Sequence, residues 1–221
     1  MNLPADLFST GWHWLAAVIT LTTAFKLVQG TDWRALGEGP QLNLMFGLAV
    51  TLALVWSLKA GVKPGLNLHL LGAMAATLAL GPRLAIVSLA LALCGVTLNG
   101  DVSWNAWPIN FVLMCLIPVL IAHGFLRLIE RILPAHFFIF IFVVAFFGSA
   151  FTIVSGGFIS SLVMAAAGAY RLDFLASEYL PYFILIGFSE AWIGGALITV
   201  LVVYRPEWVA AFDDRKYLLG K

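Results

Sequence analysis

Long uncharged apolar stretches recur from end to end of this 221-residue chain, and they limit its fold more than any motif does. Residues 107–126 are the plainest case: no Asp, Glu, Lys or Arg interrupts them, and about 20 apolar residues cross a hydrocarbon core about 30 Å thick. With 62% apolar and only 10% charged residues, the chain falls well short of the roughly 25% charged residues of a soluble domain. A water-facing globule of this size could not be covered. The alternating pattern of an outer-membrane barrel strand is absent, and the net charge of +1 with no basic run gives no footprint for nucleic acid. Residues 1–10 hold Asp6 and no Lys or Arg, so a cleaved signal peptide is not expected.

Residues 12–28, 42–58, 69–80, 84–96, 107–126, 135–154 and 180–204 read as the membrane helices. Gly156–Gly157 is expected to bend or divide the sixth before Ala169. The Gly81–Pro82–Arg83 stretch either separates two helices or kinks one, because proline does both. Charge chooses between these. Seven crossings with the N-terminus outside put Lys26, Arg34, Arg83, Arg127, Arg131, Arg205, Arg215, Lys216 and Lys221 inside, and only Lys59, Lys63 and Arg171 outside. That is the positive-inside bias of a plasma-membrane protein. The expected fold is therefore an all-α polytopic inner-membrane protein of about seven transmembrane helices, N-terminus outside and C-terminus cytoplasmic. A single membrane domain fills residues 1–221: an outer segment 1–11, a helical bundle 12–204 and a cytoplasmic tail 205–221. Small residues crowd 72–95 (Gly72, Ala73, Ala76, Ala79, Ala85, Ala92), which predicts close helix packing or a partner surface.

Ionisable and polar groups inside a bilayer are costly and become functional candidates. Glu190 lies about ten residues into the last helix, near mid-membrane, where it either bonds helices together or faces a cavity. Asn110 lies about a turn inside the 107 end, suited to bridging two helices or supporting a cavity. Of the four histidines, His13 and His69 fall on the outer side and His123 and His136 on the inner, and imidazole is a common metal ligand. Cys94 and Cys115 lack metal or redox spacing and read as packing residues. Met74 and Met114 read the same way, with soft sulfur for copper as the alternative. Asp6 reads as a solvated charge. Gly187–Phe188–Ser189 lacks the second glycine of a nucleophile elbow, and no nucleotide loop is present, so no enzyme and no organic cofactor are expected.

Four motifs in order give the chain a family resemblance. They are Met1-Asn2-Leu3-Pro4-Ala5-Asp6-Leu7-Phe8-Ser9; His69-Leu70-Leu71-Gly72 followed by Gly81-Pro82; Gly100-Asp101 followed by Asn110-Phe111-Val112-Leu113-Met114; and Ile186-Gly187-Phe188-Ser189-Glu190-Ala191 followed by Arg205-Pro206. Over nearly its whole length the chain resembles the CbiM/NikM family, the metal-binding membrane components of energy-coupling-factor cobalt and nickel importers. The resemblance implies a transition-metal ion as substrate, held at the outer face by the terminal amine of Met1, the backbone and side chain of residue 2, and His69. It also implies a coupling membrane subunit and cytoplasmic ATPase subunits as partners, beside membrane lipid. In that setting Asn110 and Glu190 would support the cavity, and the small-residue helices would offer the coupling surface. The family carries His at position 2, where this chain has Asn2. Three outcomes stay open: Asn2 oxygen replaces the imidazole, His13 supplies it, or the cargo has moved from Ni or Co to Cu or Zn. The alternative function is a membrane assembly or scaffold factor that kept the fold and lost metal transport.

Overall fold

No water satisfies the backbone inside a hydrocarbon core, so each N–H and C=O must find its partner within the chain, which a helix achieves in one segment. A computed structural model describes residues 3–31, 37, 40–58, 60–61 and 66–218, and it is helical apart from one short ribbon. We number the helices α1 (Thr10–Gly30), α2 (Gln41–Ser57), α3 (Ala73–Leu98), α4 (Trp104–Ile132), α5 (Ile139–Ala166), α6 (Leu172–Glu178), α7 (Leu180–Tyr204) and α8 (Asp214–Tyr217). Strands β1 (Ala60–Gly61) and β2 (Asn67–Leu68) pair antiparallel, Ala60 opposite Leu68. Among the described residues, α3, α4, α5 and α7 are long and apolar enough to cross a membrane, and α2 is a shorter apolar helix. The chain is a helical membrane protein.

Helix α3 is two legs. Gly81 leaves the helical region at φ 75°, ψ 164°, and Pro82 has no N–H to continue the ladder. A straight helix would separate Gly72 from Gly95 by about 34 Å. Instead a Cβ on Gly72 would touch Leu52 (2.6 Å) and one on Gly95 would touch Ala53 (3.1 Å), so both glycines lie against one turn of α2. Lower on α2, Ser88 donates to the Met45 carbonyl at 3.0 Å. The chain therefore doubles back at Gly81, with leg 82–98 running parallel to α2 and leg 73–80 antiparallel to it. The first leg begins at Ala73, not at His69 as the hydropathy predicts. Gly72 stands in the left-handed region (φ 71°, ψ 10°), which turns His69–Gly72 into a loop ahead of the helix.

The break strips two carbonyls of their helical partners. Leu78 would bond the N–H that Pro82 lacks, and Ala79 the N–H of Arg83 beyond the turn. Ala211 N–H donates to Leu78 O and Ala210 N–H to Ala79 O, each at 3.0 Å. The segment expected as a tail thus closes the Gly81 end of the hairpin. Val209, Phe212 and Tyr217 are buried there, and Glu130 accepts from Lys216 (2.6 Å) and the Tyr217 hydroxyl (3.3 Å).

Helix α5 runs unbroken through Gly156–Gly157, contrary to the expected bend. Gly157 works by absence of side chain, since a Cβ there would stand 2.4 Å from the Phe183 ring, and so does Gly194 of α7, where a Cβ would stand 2.4 Å from Ser149 Oγ. Small residues here let α5 and α7 approach closely. Ala73, Ala76, Ala79, Ala85 and Ala92 are likewise buried within this chain. They pack its own helices, the first of the two roles expected of them.

Candidate metal-binding site

Helix α2 ends near the ribbon, and the loop that returns from β2 carries His69. The ring is 6% exposed and lies against Trp56, centroids 5.4 Å apart and planes tilted 40°. His69 Nδ1 lies 2.9 Å from the Leu70 carbonyl. A carbonyl only accepts, so Nδ1 carries the proton of that bond, and in the neutral ring Nε2 is the nitrogen with the lone pair. One hydrogen bond therefore fixes both the tautomer and the ring orientation suited to a metal.

Two elements hold the loop in place. On one side Trp56, fully buried, donates its indole N–H to the Leu71 carbonyl at 3.4 Å, and Leu52 fills the space left by Gly72. On the other side stands Glu190, 5% exposed. Its carboxyl accepts from the N–H of Leu71 through Oε1 and from the N–H of Gly72 at 3.0 and 3.2 Å. These N–H groups precede the first turn of leg 73–80, where donors have no partner within the helix. Glu190 is thereby accounted for as an acceptor buried at a helix start.

Asn110 is fully buried and grips the chain near its beginning. Its Oδ1 accepts from Leu3 N–H at 2.9 Å, and its Nδ2 donates to Leu3 O at 2.8 Å and to Ala106 O at 3.0 Å. The amide thus pairs with one residue's backbone as a strand neighbour would. Immediately after it, Phe111–Leu116 is a π-helical stretch, a local widening often found at functional sites. Leu3 is 1% exposed and packs in one cluster with Trp56, Leu66, Leu68 and Leu71, the residues around His69. Within residues 3–11, Leu3 and Phe8 are the buried side chains.

The other candidates fall elsewhere. Met1 and Asn2 lie outside the described residues. His13 bonds the Ser9 carbonyl of its own helix through Nδ1 at 3.0 Å, and no described contact joins it to His69. His136 accepts from Phe138 N–H at 3.1 Å. Asp6 is exposed. Met74 and Met114 are buried, with Met74 Sδ 3.9 Å from the Thr152 hydroxyl, and Cys115 is buried as well. Ser189 and His69 do line one cavity of about 690 Å³. Ser189 Oγ donates to Leu185 O and His69 Nδ1 to Leu70 O, so the described bonds form no nucleophile–base pair. Among the described residues no three His, Cys, Asp or Glu side chains group to hold a metal.

Trp56, Leu52 and Gly72 were not singled out from the sequence as site residues. Trp56 carried a signal, an aromatic at the end of an apolar helix, but that pattern equally marks a membrane interface.

Comparison with known proteins gives the family and the fold. The family model described as CbiM, cobalt uptake substrate-specific transmembrane region, matches residues 2–208. A solved structure described as a transition metal transporter superposes with TM-score 0.77 at 18% identity, covering 91% of this chain and 92% of that one. A truncated transition metal transporter superposes with TM-score 0.76, also at 18% identity, covering 92% of this chain and 99% of that one. No curated protein matches the chain.

Proposed function

Since the chain belongs to the CbiM family of cobalt-uptake transmembrane regions, we propose that it is the metal-binding subunit of a transition-metal importer and takes the ion up at the outer face of a bacterial plasma membrane. It crosses that membrane seven times in this reading, N-terminus outside and C-terminus cytoplasmic, with leg 73–80 as a half-crossing reached by the His69 loop. The observation that carries the proposal is the loop itself. His69 is oriented by Leu70, backed by Trp56 and anchored through Glu190, while Asn110 holds the beginning of the chain in the same packed region.

The ligand set proposed is the Met1 amine, the Asn2 backbone nitrogen and His69 Nε2. Leu3 N–H is engaged by Asn110, so the chelate ends at Asn2, and the Asn2 side-chain oxygen takes the place of an imidazole. His13, bonded along its own helix, is the weaker substitute. An oxygen in that position makes the site harder and less selective for nickel. Transport itself requires a coupling membrane subunit and cytoplasmic ATPase subunits.

The test is elemental analysis of purified, untagged protein with its native N-terminus after separate exposure to Ni, Co, Cu and Zn. Near-stoichiometric binding of one metal that disappears in His69→Ala, with His13→Ala unchanged, is the expected result. Folded protein that binds none of the four would sink the reading and turn attention to an assembly role.

A further inference from the structure

Opposite the His69 loop, the Gly81–Pro82 turn, the end of α1, the start of α2 and the last turns of α4 surround a second cavity of about 600 Å³. We propose that this cavity binds a phosphodiester, specifically the headgroup of an anionic phospholipid. The proposal goes beyond metal binding and does not depend on it.

Two guanidinium groups supply charge. Arg83 donates one N–H to the Gly30 carbonyl, and a Cβ on Gly30 would stand 2.9 Å from Arg83 Cζ. The guanidinium therefore lies flat on a glycine surface, held by one hydrogen bond among the described residues. Arg127 is 65% exposed and only 3.5 Å from Glu130, a carboxylate that Lys216 holds more closely at 2.6 Å. Guanidinium groups match phosphate oxygens in geometry as well as charge.

The backbone adds two further donor sets. α2 starts at Gln41 after Pro40, with no side-chain cap, and leg 82–98 starts at Pro82, followed by the N–H groups of Arg83 and Leu84. Gln41, Arg83 and Leu84 all line the cavity. Helix starts present unpaired N–H groups and the positive end of the macrodipole. His123 Nδ1 and Thr31 Oγ1, also in the lining, are buried atoms without a hydrogen-bond partner among the described residues. Glu130 is the carboxylate facing Arg127 among the described residues. Free phosphate shares this chemistry. The cavity lies where α1 and leg 73–80 end and where α2 and leg 82–98 begin, and basic pockets between transmembrane helices hold anionic headgroups.

The test uses the full chain, metal-free, in neutral detergent. Phosphatidylglycerol and phosphatidylcholine of the same acyl chains are titrated against it by native mass spectrometry, with inorganic phosphate as a third arm. Phosphatidylglycerol should bind at least tenfold more tightly than phosphatidylcholine, and Arg127→Gln and Arg83→Gln should each remove most of that preference. If Arg83→Gln fails to fold for want of its Gly30 contact, Arg127→Gln decides. Equal binding of the two lipids, or an undiminished preference in Arg127→Gln, overturns the proposal. Inorganic phosphate binding as tightly as phosphatidylglycerol overturns its lipid source. Metal binding measured on the same preparations reports separately on the His69 site.

Discussion

Replacing Glu190 tests what holds the His69 loop. Glu190→Ala leaves the N–H groups of Leu71 and Gly72 without their acceptor, in a region where Leu71 is 2% exposed. An orphaned buried donor forfeits about 1–3 kcal/mol. Two such donors put the loss near 3 kcal/mol even if one water enters the vacated space. At 1.4 kcal/mol per tenfold, that is about a hundredfold rise in local opening. Glu190→Gln keeps one carbonyl oxygen for the loop but turns an amide NH₂ toward donors, so it should lose about 1–2 kcal/mol, or roughly tenfold. Hydrogen exchange on peptides covering residues 66–76 reads the effect directly. Protection in leg 82–98 serves as the control that the bundle is intact. Unchanged exchange at Leu71 and Gly72 in Glu190→Ala would refute the reasoning, as would Gln behaving worse than Ala.

Asn2→His restores the imidazole at position 2 and should tighten metal binding by about tenfold or more, measured by competition with a chromophoric chelator. Asn110→Ala removes both backbone bonds to Leu3 and should destabilise the N-terminal segment by about 2–3 kcal/mol. Cleavage within residues 3–9 by limited proteolysis would register it. Trp56→Phe keeps a ring under His69 and loses one long N–H bond, about 0.5–1 kcal/mol, whereas Trp56→Ala empties a fully buried site and loses about 3–5 kcal/mol; thermal unfolding in detergent ranks them. Deleting residues 209–221 exposes the Leu78 and Ala79 carbonyls and should lower Tm by about 5 °C or more, with residues 73–80 exchanging first.

The membrane class and the approximate helix positions were legible because apolar composition and charge asymmetry act over whole segments. Boundaries set by single backbone torsions were not. Nothing in the hydropathy of residues 69–80 distinguishes a helix starting at His69 from a loop ending at Gly72, since the difference is one positive φ. Gly81–Pro82 was visible as a break, and contacts to Leu52 and Ala53 were needed to see the chain reverse there. Gly156–Gly157 misled for the opposite reason. In water a glycine pair weakens a helix, but in lipid it lets Phe183 approach. Glu190 and Asn110 stood out as expensive polar groups, yet their partners are backbone atoms 119 and 107 residues away, and backbone atoms leave no mark in a sequence.

These contacts also fix where the His69 loop is firmly and weakly held. Leg 73–80 is bonded at its start by Glu190 of α7 and at its end by Ala210 and Ala211, which follow α7 in the chain. The short leg and α7 therefore move as one body, because separating them breaks buried hydrogen bonds at both ends. Toward α2 the loop has the Leu52 contact, the face of Trp56 and one N–H bond at 3.4 Å. A weak bond and van der Waals contact yield before a carboxyl bonded to two amides does. Any motion that opens the His69 loop should then begin as a parting of α2 from the α7 body, with Glu190 still attached.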